Sequence, residues 1–144
     1  TFEISPSILY ELGFVKAIIW LCSQYKEKWN IPIQVEKTLS RISLSESAEI
    51  VLFQSVRECF NNIRKHACSQ NNTIQIAESA GWIEVEVIDD GKGFDTRSLS
   101  LSDVSERGFG LFNVKERIEY LGGSFSIFSE EGEGTRVILR VPMK

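Results

Sequence analysis

The sequence predicts an α+β domain, a sheet with helices packed on one face. Two patterns carry this: three stretches space their apolar residues by three and four, and about five short stretches alternate apolar with polar residues. Size agrees. A chain of 144 residues, 42% hydrophobic and 25% charged, suffices for one ordinary core. Residues 1–144 are therefore read as a single domain.

Ser5-Pro6 reads as an N-cap followed by proline at the first helical position. One helix is expected from there to about Trp29, with Ile8, Leu12, Val15, Ile19 and Cys22 along one side, stopped by Asn30-Ile31-Pro32. Ile33, Val35 and Leu39 mark a short strand. Ser43 and Glu46 have capping-box spacing and open a second helix that runs to about Cys68, with Ile50, Phe53, Val56, Phe60 and Ile63 inward. Strands at Thr73–Glu78 and Trp82–Ile88 flank an Ala80-Gly81 turn. A third helix is expected from near Gly110 to the stop at Gly122-Gly123, with strands at Ser124–Ser129 and Thr135–Val141 after it.

Composition removes several function classes. With 16 Lys+Arg against 20 Asp+Glu, no basic surface for nucleic acid is indicated. Three widely spaced cysteines (Cys22, Cys59, Cys68) and a single histidine argue against a zinc site or a disulfide framework. No apolar run reaches the roughly 20 residues of a membrane-spanning helix, and the first residues lack signal-peptide features. A cytoplasmic location is expected, with membrane anchoring of a longer parent left open.

Four segments carry candidate chemistry. Glu58, Asn62, Lys65 and His66 fall on one stripe of the second helix, a pattern that a solvated face also gives. Yet the pair Asn61-Asn62 has no propensity reason to sit mid-helix. Asp89-x-Gly91-x-Gly93 follows a strand; the glycines permit close backbone approach and the carboxylate can accept from a ligand N–H, though a tight turn has the same composition. Gly108-x-Gly110-Leu111 opens the third helix and offers free backbone N–H groups suited to phosphate, or is a plain helix entry. Gly132-x-Gly134-Thr135 joins the last two strands and needs no function as a hairpin turn. The chain has no GxxxxGK[ST] P-loop and no glycine fingerprint in a βαβ unit.

In this order the segments resemble the catalytic ATP-binding domain of bacterial sensor histidine kinases, part of the GHKL ATPase superfamily. Glu58, Asn62, Lys65, His66 and Ala67 look like its N box; Asp89, Gly91 and Gly93 like its G1 box; Gly108, Gly110 and Leu111 like its G2 box; and Gly132, Gly134 and Thr135 like its final GxGT. The run Lys115–Gly123 and the segment around Pro6 and Leu12-Gly13 are similar to the nitrate-sensor and desaturase-sensor subfamily.

The resemblance implies a two-layer α/β sandwich of the Bergerat type, a mixed sheet of about five strands with three helices on one face. It also implies a short lid between Phe94 and Arg107, without the phenylalanine-containing box of longer lids. Residues 1–30 would form the first helix, with the end of a connector from a phosphoacceptor domain. The cofactors implied are ATP and Mg²⁺. Asp89 would accept from the adenine amino group, with Gly91, Gly93 and Thr135 around it. Asn62 would ligate Mg²⁺, and Glu58 would orient a metal-bound water or act as general base. Lys65 and His66 would stabilise phosphate charge, with Gly108, Gly110 and Leu111 cradling the phosphates.

The resemblance further implies transfer of the γ-phosphoryl group to a histidine on a separate dimerisation domain, a homodimeric full-length kinase, and a response regulator with a DNA-binding output domain as partner. Direct nucleic-acid binding is not expected, and the fragment alone should be monomeric with little autophosphorylation. An anti-sigma-type protein-serine kinase and a non-catalytic ATP-sensing module are the alternatives.

Overall fold

A computed structural model describes residues 6–38, 42–98 and 106–144. The elements are α1 (Pro6–Leu12), α2 (Phe14–Trp29), β1 (Gln34–Thr38), α3 (Glu46–Asn62) continued by a π-helical turn (Ile63–Ala67), β2 (Asn72–Ser79), β3 (Trp82–Asp89), a 3₁₀ turn (Thr96–Ser98), α4 (Glu106–Tyr120), β4 (Ser124–Ser129) and β5 (Thr135–Pro142). The five strands lie in the order β1-β2-β3-β5-β4, with β1 parallel to β2 and every other pair antiparallel.

One face of the sheet is packed. Ile74 and Ile76 of β2, Ile83, Val85 and Val87 of β3, and Val137, Leu139 and Val141 of β5 are buried there. Ile18, Leu21 and Tyr25 of α2, Leu52, Val56 and Phe60 of α3 and Val114 and Ile118 of α4 complete the core. Each such aliphatic side chain contributes roughly 1.5–3 kcal/mol of burial free energy. The other face carries cross-strand ion pairs, Glu84 with Arg140 and Glu86 with Arg136, and each arginine also lies over a ring, Trp82 or Phe128. Charge paired in this way gives that face its polar character, which accounts for the alternation along β3 and β5.

The expected first helix is two. Gly13 takes φ 80°, so α1 ends at Leu12 and α2 restarts at Phe14. A left-handed residue cannot continue a right-handed helix, although the apolar spacing runs through it. The Ser5 cap and Leu39 lie outside the described residues. α2 ends where Asn30 turns left-handed and its N–H donates to Lys26 O at 3.0 Å.

The N-cap of α3 is Ser45, not Ser43: Ser45 Oγ accepts from the Ala48 N–H at 3.1 Å, and Glu46 and Glu49 occupy the first turn. Ser43 is engaged elsewhere, its carbonyl accepting from the Lys144 N–H at 2.8 Å. Helix α4 begins at Glu106, so Gly108 and Gly110 lie inside its opening turns rather than before it. Its far end stops as expected, with Gly122 at φ 82° and the Gly123 N–H donating to Ile118 O at 3.0 Å.

Candidate functional site

Strand pairing does the first part of the assembly. Asp89 ends β3, Thr135 begins β5, and Ser129 ends β4; the registers set Asp89 beside Thr135 and Thr135 beside Ser129. The GxGT hairpin and the Asp-x-Gly-x-Gly segment therefore meet at one corner of the sheet. Ser129 joins them: its Oγ lies 2.9 Å from Thr135 Oγ1, accepts from the Phe94 N–H at 2.9 Å and donates to Gly134 O at 2.8 Å.

The loop after β3 is held by main chain. The Lys92 N–H donates to Ala67 O at 2.7 Å, and the Lys92 carbonyl accepts from the Gly132 N–H at 2.5 Å. The main-chain N–H and C=O of one residue thus connect the end of the α3 extension, the glycine loop and the last hairpin. At Gly91 the backbones approach so closely that a Cβ would overlap the Ala67 carbonyl. Gly93 adopts φ 63° and packs on the carbonyls of Glu130 and Gly134. Asp90 braces the loop from outside, its carboxylate accepting from the N–H groups of Gln70 and Asn71 and from Asn71 Nδ2, which holds it below the usual carboxylate range.

Helix α3 forms the facing wall. Its apolar stripe seats it on the sheet, and its last turns carry Glu58, Asn62 and His66 past the end of β3. Asn62, His66, Asp89, Gly93, Leu111 and Thr135 line one narrow cleft, partly open to solvent, with a cavity volume of about 30 Å³. Its floor and sides are Cys59, Ile63, Ala67, Val87, Phe94 and Val137. A mostly apolar cleft with a few convergent polar groups has the character of a small-molecule site.

The other sequence candidates stand around it. The Glu58 carboxylate packs against Gly110, where a Cβ on α4 would collide with it. Gly91 lies behind the cleft against Ala67, Lys65 is exposed, and Gly108 is in the first turn of α4; none of these five, Glu58 and Gly110 included, lines the cleft. Most of the expected lid between Phe94 and Arg107 is outside the described residues. At its base Asp95 pairs with Arg97 at 2.7 Å, and hydrogen bonds from that guanidinium lower the Asp95 pKa to about 2.

Two features bear on what the cleft would accept. Asp89 is only 8% exposed, and its Oδ1 accepts from the Gly91 N–H at 2.9 Å. That bond orients a buried acceptor at the cleft wall. The Asn62 Nδ2 atom is buried with no hydrogen-bond partner among the described residues. An unmet amide donor costs roughly 1–3 kcal/mol, and a polar ligand in the cleft would recover it.

Ser129 and Cys59 were not anticipated as parts of the site. Ser129 could have been found by pairing β4 with β5 from the hairpin outward. Cys59 follows Glu58 and reads only as core; burial, with Glu58 and Asp89 nearby, pushes its thiol up to about 12.

A mixed five-stranded sheet with a cleft between its edge and the helices on one face is the fold of histidine kinase catalytic domains. The structure superposes on the histidine kinase domain of the Erythrobacter litoralis EL346 blue-light activated histidine kinase with TM-score 0.71 at 17% identity, covering 95% of this chain and 69% of that one. It matches the Acinetobacter baumannii histidine kinase AdeS with TM-score 0.70 at 13% identity, covering 92% and 64%.

The sequence places it within a family. Residues 47–144 match the model of the histidine kinase-, DNA gyrase B- and HSP90-like ATPases, and the chain belongs to that family. It is 28% identical over 141 residues to the sensor histidine kinase LiaS of Bacillus subtilis, covering 98% of this chain and 37% of that protein. It is also 28% identical over 141 residues to the histidine-protein kinase/phosphatase DegS of the same organism, covering 96% and 36%. The chain thus spans a little over a third of the length of the curated relatives it matches. Among the described residues no helix is long and apolar enough to cross a membrane.

Proposed function

We propose that this domain binds Mg-ATP in the cleft between Asn62 and Asp89 and presents the γ-phosphoryl group to a histidine outside residues 1–144, as the catalytic domain of a sensor histidine kinase. The observation that carries the reading is the convergence on one cleft of a buried carboxylate from β3 and a buried amide with an unmet donor from α3. Relatives that are sensor histidine kinases over nearly the whole of this chain support it.

Each residue has a role its chemistry allows. Asp89, an acceptor fixed by Gly91, suits the adenine amino group; guanine would set a carbonyl against it, so ATP is preferred to GTP. Thr135, one strand over, extends the purine end, directly or through water. Asn62 supplies an amide for the metal and phosphate end. Mg²⁺ requires hard oxygen ligands and keeps several waters, and it neutralises phosphate charge when bound. Among the described residues no group of three His, Cys, Asp or Glu side chains could hold a metal, so the amide, phosphates and water would share that task.

Glu58, one turn before Asn62 and against Gly110, is placed to orient water or to act as general base. His66 lines the same end, while exposed Lys65 would reach phosphate charge from the rim. Gly108, Gly110 and Leu111 would bring the opening of α4 to the phosphates, and Gly91 and Gly93 shape the opposite edge. The partners proposed are a phosphoacceptor and dimerisation domain and a response regulator, within a homodimeric kinase.

The test is a nucleotide titration read by thermal unfolding. Mg-ATP should raise the Tm, since a ligand that binds only the folded state stabilises it. The rise should be smaller without Mg²⁺ and lost in Asn62→Ala with the fold intact. Equal shifts in the unaltered chain, Asn62→Ala and Asp89→Ala would overturn the reading.

A further inference from the structure

Helix α2 touches neither the cleft nor the glycine loops, yet its last turns are fastened to the segment that carries Asn62 and His66. The Tyr25 ring is 1% exposed, and its hydroxyl donates to Asn61 Oδ1 at 2.5 Å. The same ring meets Phe60 edge-on at 5.4 Å. One turn on, Trp29 lies against Tyr25 at 4.9 Å and carries the Arg64 guanidinium 4.5 Å above its ring. Two residues of α2 spaced by four thus grip Phe60, Asn61 and Arg64 of the facing segment. Burial raises the Tyr25 pKa, so the phenol keeps its proton and remains a donor.

The grip falls where the helix changes pitch. The α-helical pattern ends at Asn62, and Ile63–Ala67 continue as a π turn. Such turns are rare and are frequently found at functional sites. A return to α pitch would rotate His66 relative to Asn62, because each residue advances an α-helix by about 100°. Both residues line the cleft in the observed pitch.

We infer that Tyr25 is a positioning residue for the phosphate end of the nucleotide site: its hydroxyl on Asn61, with Trp29 beneath Arg64, fixes the α-to-π junction that sets Asn62 and His66 on the cleft together. The inference rests on the Mg-ATP reading above. Losing the hydroxyl lowers the population of the competent turn, and apparent affinity falls by that fraction. The purine end, built on Asp89 and the strand corner, meets this segment at Ala67, the far end of the π turn from Asn61.

The experiment titrates the unaltered chain, Tyr25→Phe, Asn61→Ala and the double variant with Mg-ATP and, separately, with adenosine. Tyr25→Phe should weaken Mg-ATP roughly three- to tenfold, the worth of one buried hydrogen bond. Adenosine affinity should stay within about twofold of the unaltered chain, since it makes no phosphate contacts, and the double variant should bind Mg-ATP no more weakly than Asn61→Ala. Should Tyr25→Phe fail to fold, Asn61→Ala is held to the same split between the two ligands. Equal loss for both ligands, no loss for either, or additive losses in the double variant overturn the inference while the site stands. An unaltered chain that does not bind Mg-ATP removes the site itself, and this role with it.

Discussion

Asp89 and Thr135 are direct neighbours across the β3–β5 ladder, and the Gly91 N–H donates to Asp89 Oδ1 at 2.9 Å. A carboxylate oriented by that bond is a fixed acceptor. Asp89→Asn preserves the shape and the bond to Gly91 but gives up the charge. A charge-assisted hydrogen bond contributes roughly 1.5–3 kcal/mol, so ATP affinity should fall about tenfold or more. The preference for ATP over GTP should shrink with it. Calorimetric titration with both nucleotides measures the two effects, and an undiminished ATP preference would remove Asp89 from purine recognition.

Gly91→Ala should act through Ala67. The added methyl would lie 2.7 Å from the Ala67 side chain and overlap the carbonyl that accepts from the Lys92 N–H. One of the two backbones must retreat. Overpacking of this kind costs roughly 1–3 kcal/mol, measurable as a lower urea midpoint at unchanged slope. Ala at Gly122, where φ is 82° and the space is open, should instead cost only the backbone strain of a left-handed residue, roughly 1 kcal/mol.

The cysteines should separate by rate. Cys22 and Cys59 are buried with thiols pushed up to about 12, mainly by desolvation, while Cys68 is exposed. The thiolate is the reactive form. Iodoacetamide at neutral pH should add one label quickly, at Cys68, and the other two only on unfolding, as mass spectrometry of timed samples would show. Fast labelling of Cys59 in the native chain would mean that the cleft floor opens readily.

Asp90 should contribute to acid sensitivity. Its bonds from Gln70 and Asn71 lower its folded pKa below the ordinary 3.8. A depressed carboxylate stabilises the fold above its unfolded value and loses that contribution as pH falls through the folded one. Asp90→Asn should therefore be less stable than the unaltered chain at neutral pH, and the gap should narrow below about pH 4. Melting curves between pH 2.5 and 7 test this; a gap independent of pH would assign the loss to geometry rather than charge.

Strands and the site motifs were legible because local patterns specify them. Alternation located β2 to β5 to within a residue or two, and the Asp89, Asn62 and Thr135 segments stood out by residue type and spacing. What escaped was decided at long range or by pitch. Ser43 and Ser45 look equally able to cap α3 from sequence, and the choice is fixed by where the packed helix begins, at Glu46, directly after Ser45. Apolar periodicity carried the first helix through Gly13 because spacing does not report the sign of φ. The π turn at Ile63–Ala67 is invisible to a 3.6-residue template, so Lys65 was placed with Asn62 and His66 but lies outside the cleft lining. The Tyr25–Asn61 bond joins residues whose meeting only the packed helices determine.

The junction at Lys92 joins three segments through the residue's main-chain N–H and C=O. Position 92 should then tolerate almost any side chain and reject proline, whose nitrogen carries no hydrogen to give. In a saturation screen it would look like an indifferent surface site in every column but one, and that single intolerance would be the only trace of the seam it closes.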